Sequence, residues 1–135
     1  VLKFDGAGWG TISIGDWSDR CSYMDDVPYA LLEAVEETIR TGHKTVCEFD
    51  AEGYGYTIVF GYYETIIITT DKEDGGHSII TADVHIYDLA QALIADIRSD
   101  LEAWAKWPGD ILEDEIDERK ADFGVLCDMI EKRVK

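Results

Sequence analysis

Basic residues are scarce in this sequence. Its 135 residues hold 12 lysines and arginines against 29 aspartates and glutamates, a formal net charge of −17. The acid excess is spread over both halves, so the chain is not a neutral body with an acidic tail. A field of that sign repels phosphate backbones and anionic membranes, which argues against direct nucleic-acid binding and membrane association. Cysteine is sparse too. Cys21, Cys47 and Cys127 are odd in number, widely spaced and in no CxxC pair, which argues against a disulfide framework or a zinc site. Each stands where a free thiol serves as a small core hydrophobe, and a reducing, cytoplasmic setting is expected. No run approaches the roughly 18 apolar residues of a membrane span, and Val1–Ile14, broken by glycines and acids, lacks a signal-peptide pattern.

Motifs that carry chemistry are missing as well. There is no HExxH, no GxSxG and no ExxH on a helix. The alternating glycines of Asp5-Gly-Ala-Gly-Trp-Gly-Thr11 invite comparison with a phosphate-binding loop. However, Thr11 stands where the third glycine belongs, and a strand pattern follows instead of a helix. Asp71 and Glu73 have the first spacing of a calcium loop, but Gly75 occupies a ligand position and Ala82 the place of the closing glutamate. A plain turn is the expectation at Asp71–His77. No catalytic residue, metal ligand or cofactor is expected.

What the sequence has in quantity is strand pattern. Gly55–Thr70 is β-branched and aromatic, with no lysine, arginine or proline. It reads as two adjacent strands joined near Gly61–Glu64, with Ile58, Phe60, Ile66 and Ile68 on the buried face. Leu2–Phe4, Thr11–Ile14 and Trp17–Met24 read as strands, the last two forming a hairpin around Gly15-Asp16. Lys44–Ala51 alternates, with Thr45, Cys47 and Phe49 on one face and Val46, Glu48 and Asp50 on the other. Ser78–Ile86 is expected to be the last strand, with Asp83 and His85 on its outer face.

Three helical stretches complete the pattern. Leu31, Leu32, Val35 and Ile39 repeat at helical spacing after Asp25-Asp-Val-Pro28, where an aspartate caps and proline enters the first turn. Leu89, Leu93, Ile97, Leu101 and Trp104 make the strongest stripe, capped by Asp88. After the break at Lys106–Gly109, Asp110 to the end reads as one helix or as two, and Gly124 marks Arg119–Phe123 as the place of a break if there are two. The expected architecture is one α+β domain: a mainly antiparallel curved sheet of five to six strands, one helix inserted after the first hairpin and two at the C-terminus.

Two features bear on function. Asp110–Glu118 holds six acids in nine residues. Asp110/Asp114, Glu113/Asp117 and Asp114/Glu118 are like-charged pairs four apart, each weakening a helix by a few tenths of a kcal/mol, and meeting a basic partner is one use for such repulsion. Tyr62, Tyr63 and Trp107 stand out among the aromatics as interface anchors. The candidate partner-binding residues are therefore Asp110, Glu113, Asp114, Asp117, Glu118, Tyr62, Tyr63 and Trp107.

In size, charge, the Gly8-Trp9-Gly10 hairpin opening and the acidic helix after Trp107-Pro108, the chain resembles small acidic bacterial immunity proteins. Those proteins neutralise a toxin, often a nuclease, by offering carboxylates and aromatics to its basic active site. The resemblance is one of type and assigns no residue a role. It implies a protein-binding module with a basic protein partner and no enzymatic activity. Two other readings stand beside it. One is a DNA-mimic or anti-restriction protein using the same charge. The other is a small-molecule-binding fold in which Glu48, Asp50, Asp83 and His85 meet in a pocket if their strands are neighbours. The sequence is compatible with a monomer or a homodimer.

Overall fold

The computed structural model describes residues 1–6, 8–71, 75–107, 109 and 111–134. Among them lie two antiparallel sheets and four helices. The first sheet is a meander of β1 (Leu2–Gly6), β2 (Trp9–Ile14) and β3 (Trp17–Ser22), in that order. Helix α1 (Val27–Thr41) follows. The second meander comprises β4 (Thr45–Asp50), β5 (Tyr54–Phe60), β6 (Thr65–Asp71) and β7 (His77–Ala82). Then come α2 (Ile86–Ser99), α3 (Leu101–Ala105) and α4 (Glu113–Val134).

The architecture is α+β with antiparallel strands, but the single curved sheet and the two C-terminal helices are corrected to two sheets and three. The reason lies at the junction after α1. No backbone ladder joins β3 to β4 among the described residues, and side chains bridge the sheets instead. The Tyr56 hydroxyl donates to the Arg20 carbonyl at 2.8 Å, Tyr54 donates to Asp19, and the Asp50 N–H reaches Asp25 at 2.9 Å.

Helix α1 forms where its periodicity places it. Pro28 fits the first turn, and Gly42 closes the helix at φ 77°, its N–H bonded to the Thr38 carbonyl at 2.8 Å. Asp26 stands at the capping position but makes no cap bond. Its two oxygens instead receive the Arg119 guanidinium at 2.9 and 3.0 Å, tying the start of α1 to α4. Val27, Leu31, Leu32, Val35 and Ile39 are buried, and so are Ala34, Glu36 and Thr38, because α1 packs against β4, α2 and α4 at once.

In the second sheet β4 alternates as expected, with Thr45, Cys47 and Phe49 inward. Ile58 and Phe60 are buried too, but β6 is one residue out of the expected phase. The Gly61–Glu64 turn pairs Phe60 with Thr65 and Ile58 with Ile67. Cross-strand partners share a face, so Thr65 and Ile67 go inward while Ile66 and Ile68 stay half-buried. Strand β7 ends at Ala82, four residues early. Ile86 instead opens α2, its N–H bonded to the Tyr62 carbonyl at 2.8 Å, and His85 rather than Asp88 caps that helix.

The expected helix through Trp104 breaks at Asp100, whose φ of −149° is not helical. The break leaves Trp104 in α3, where it stacks on Phe4 with centroids 4.0 Å apart. Helix α4 runs unbroken through Gly124, because Phe123, Cys127 and Ile130 bury one continuous stripe on both sides of it.

Two measurements check this packing. The Thr65 hydroxyl is buried without a hydrogen-bond partner among the described residues. Thr65→Val keeps the shape and removes that desolvated group, so stability rises by about 1 kcal/mol, a gain of roughly 3–4 °C in melting temperature. All three thiols are buried and free. Burial pushes Cys21 and Cys47 up to about 12 and Cys127 upward as well. A thiol reagent at mildly alkaline pH therefore leaves the folded protein unlabelled and modifies all three cysteines in denaturant. Raised thiol values stabilise the fold fully below the unfolded value of about 8.5. That contribution is lost as pH climbs from there towards about 12.

Candidate functional site

The acidic candidates gather on the first two turns of α4. Glu113, Asp114, Glu115, Asp117 and Glu118 are all exposed, while Ile116 between them is buried and anchors the turn. Asp110 and Pro108 lie outside the described residues. Acids suit a helix N-terminus because its unpaired N–H groups carry partial positive charge, which offsets part of the mutual repulsion. Glu113 and Asp117 border a recess of about 420 Å³ with Lys106, Lys120 and Ile111.

Six of the ten lysines and arginines among the described residues are engaged within the chain. Arg40 pairs with Glu36 at 2.9 Å, Arg98 with Asp128 at 2.9 Å and with Glu131, and Arg119 with Asp26 at 2.9 Å. Lys106 and Lys120 both approach Glu102, at 3.4 and 3.8 Å. Arg20 lies over the Trp9 ring, 4.7 Å from its centroid. The first turns of α4 thus face solvent with their carboxylates outside these ion pairs.

The aromatic candidates separate. Trp107 is only 5% exposed, sits 5.6 Å from Phe4 and from Trp104, and donates its Nε1–H to the Asp25 carbonyl at 2.8 Å. It is a strut of the core, for which Gly10 makes room: a Cβ there would stand 3.2 Å from the indole edge. Tyr62 is half-buried with its hydroxyl on the Ile39 carbonyl at 2.9 Å, whereas Tyr63 is 76% exposed. These two form a ring cluster with His85 and Tyr87. The closest contacts are His85–Tyr87 at 4.9 Å and Tyr63–His85 at 5.4 Å between centroids. Nδ1 of His85 accepts the Tyr87 N–H at 3.0 Å. Helices α1 and α4 run side by side in the same direction, Asp26 meeting Arg119 and Tyr29 meeting Phe123, so the Tyr62 hydroxyl at the Ile39 carbonyl puts this cluster towards the C-terminal end of α4. The acids lie at the other end of a 22-residue helix, about 33 Å long. The described candidates other than Trp107 thus form two patches.

The alternative pocket does not assemble. Glu48 and Asp50 lie on β4, and Asp83 and His85 follow β7. These strands are opposite edges of the four-stranded sheet, roughly 14 Å apart. Asp83 borders a recess of about 580 Å³ with Asp16, Trp17 and Ile80. Glu48 lines a separate and larger groove of about 850 Å³, between α1 and β4. The Lys72–Asp74 part of the calcium-like stretch lies outside the described residues. Among those described, no group of three or more His, Cys, Asp or Glu side chains could hold a metal ion, and no helix is long and apolar enough to cross a membrane.

Sequence reasoning missed both the ring cluster and the groove. His85-Ile-Tyr-Asp88 before an apolar stripe does carry a helix-start signal, since His85 can cap. That signal was outweighed by the alternation of Ser78–Ile86. The groove left no local mark, because its walls are far apart in the chain.

The buried and the exposed aromatic candidates respond differently to truncation. Trp107→Ala empties a filled core site and lowers stability by about 3–5 kcal/mol. Tyr63→Ala removes an exposed ring and changes it by less than about 0.5 kcal/mol. Denaturant titration of both variants checks the assignment. Compared with protein-family models, curated proteins and solved structures, the chain matches none.

Proposed function

We propose that this chain is an acidic protein-binding module that neutralises a basic protein, in the manner of an immunity protein or inhibitor covering the active site of a toxin or nuclease. The carrying observation is the contrast between engaged cations and exposed carboxylates. Arg40, Arg98, Lys106, Arg119 and Lys120 are held in internal ion pairs, while five acids project from the first two turns of α4. A surface so arranged speeds encounter with a basic protein and rejects phosphate backbones. Tyr63, exposed at the far end of α4, supplies a rigid aromatic contact for a partner broad enough to span the helix. No step in this reading requires a catalytic residue or a cofactor.

The test is affinity capture from a lysate of the source organism at low and at high salt, followed by titration of the retained protein. A single basic protein, held at low salt and weakened at high salt, is the expected result. Reversing Glu113, Asp114 and Asp117 to lysine weakens that complex by about tenfold or more and flattens its salt dependence. Each reversal near the helix N-terminus costs about 0.3–1 kcal/mol or somewhat more, offset in part by relief of the like-charged pairs, so the melting temperature falls by a few degrees while the fold is kept. A partner indifferent to salt and to the triple change removes this surface from the reading.

A further inference from the structure

We propose that the groove between α1 and the free edge of β4 receives an extended cationic segment of a partner protein, which joins the sheet as a strand beside β4. This rests on the reading of a basic protein partner and names a second surface for it, distinct from the acidic turns of α4.

The edge is open. In the order β4-β5-β6-β7, strand β4 pairs with β5 alone. The Ala51 N–H bonds to the Tyr54 carbonyl at 2.9 Å, and the register pairs Phe49 with Tyr56 and Cys47 with Ile58. Hydrogen-bonded pairs alternate in an antiparallel ladder, so Thr45, Cys47 and Phe49 exchange bonds with β5. The N–H and C=O groups of Val46 and Glu48 therefore point away from β5, and no other backbone bond among the described residues takes them. Towards the end of β4, the Asp50 N–H is taken by Asp25 at 2.9 Å, so the open stretch stops there.

The groove beside this edge has a fixed wall. The Thr45 hydroxyl donates to the Ala34 carbonyl at 2.8 Å, and the Cys47 thiol to the Ala30 carbonyl at 3.4 Å, holding α1 against the strand. Between them the groove encloses about 850 Å³, with Ala30, Val46 and Leu126 as apolar contacts. Val46 is 57% exposed. An edge strand faced by a helix is a geometry that captures extended peptides: the main chain supplies hydrogen bonds and alternate side chains supply specificity.

Charge selects the occupant. Four glutamates line the groove, and among the described residues Glu36 alone of them has an ion-pair partner, Arg40. Glu33, Glu37 and Glu48 are exposed with no cation within ion-pair distance among the described residues, leaving Lys44 as the other lining cation. A segment alternating basic and apolar side chains fits, with one set towards the carboxylates and the other towards Ala30, Val46 and Leu126. A second copy of this chain fits poorly, since self-pairing of β4 brings Glu48 and Asp50 of each copy together. Strand β7 is the other free edge, but the recess bordering it is walled by the β2–β3 turn and not by a helix, so it serves as the control.

The test titrates the isotope-labelled protein with a short peptide of alternating lysine and valine, and with the same peptide N-methylated at alternate residues. The expected result is saturable amide shifts at Val46, Glu48, Glu33 and Glu37. The N-methylated peptide, Val46→Pro and the surface variants Glu33→Lys and Glu48→Lys each weaken binding by about tenfold, the worth of a lost hydrogen bond or charge contact. The two lysine variants keep the fold even if the proline does not. Ile79→Pro on β7 leaves binding unchanged. Absence of saturable binding, shifts centred on β7 or on the first turns of α4, or equal binding of the N-methylated peptide overturns the proposal. If a captured basic protein responds to the α4 reversal but not to Glu48→Lys, the groove is overturned while the broader reading survives.

Discussion

The seating of α1 on β4 is the constraint on which the rest of this molecule depends. Thr45 bonds to Ala34 and to Thr38, and Cys47 to Ala30, so two strand side chains grip one face of the helix. That contact lets α1 touch β4 and β5 on one side and α2 and α4 on the others. Val27, Leu31, Leu32, Val35 and Ile39 are each at most 5% exposed as a result. Burying each such side chain contributes about 1.5–3 kcal/mol, so α1 is the largest single source of cohesion between sheet and helices. The same seating leaves the edge of β4 exposed beside a rigid helical wall.

Charge is the second constraint. A chain at −17 repels itself, and the fold answers by position as well as by pairing. Arg119 is the strongest tie: it holds Asp26 through two nitrogens, donates from Nε to the Ala105 carbonyl at 2.7 Å and lies over Phe123. Because this guanidinium is mostly shielded from water, it is screened less than the outer pairs such as Lys106–Glu102, which add little. The acids beyond these pairs are left on the surface: some gather on the first turns of α4 and along the groove, and others, such as Asp5, Asp16, Glu52, Asp83 and Asp122, are spread over the rest of it.

Helix α4 links these features. Its N-terminal turns carry the carboxylates, its middle packs on α1 with Phe123 against Tyr29, and its far end lies towards the end of α1, where the Ile39 carbonyl takes the Tyr62 hydroxyl. Leu126 also reaches the groove beside β4. One long helix therefore holds three distinct surfaces in fixed relation.

The sequence by itself determined the local elements. The stripe of α1, the alternation of β4 and the turn residues Gly42 and Gly61 act over a few positions, and their pattern alone dictates helix, strand or turn. The burial of all three cysteines was legible for the same reason, as each sits on an apolar face. What only the tertiary structure decided were phase, partnership and edges. Thr65 rather than Ile66 turned inward because a turn sets register between strands, and a one-residue shift exchanges the faces of a strand whose residues are almost all β-branched. His85 left its strand because the Tyr62 carbonyl and the α2 stripe outweighed an alternation that runs past Ala82. Trp107 went inside because Phe4 and Gly10, distant in the chain, together with the neighbouring Trp104 leave an indole-shaped space. Glu48 and Asp83 parted because strand order depends on long-range pairing, and residue spacing carries no record of it.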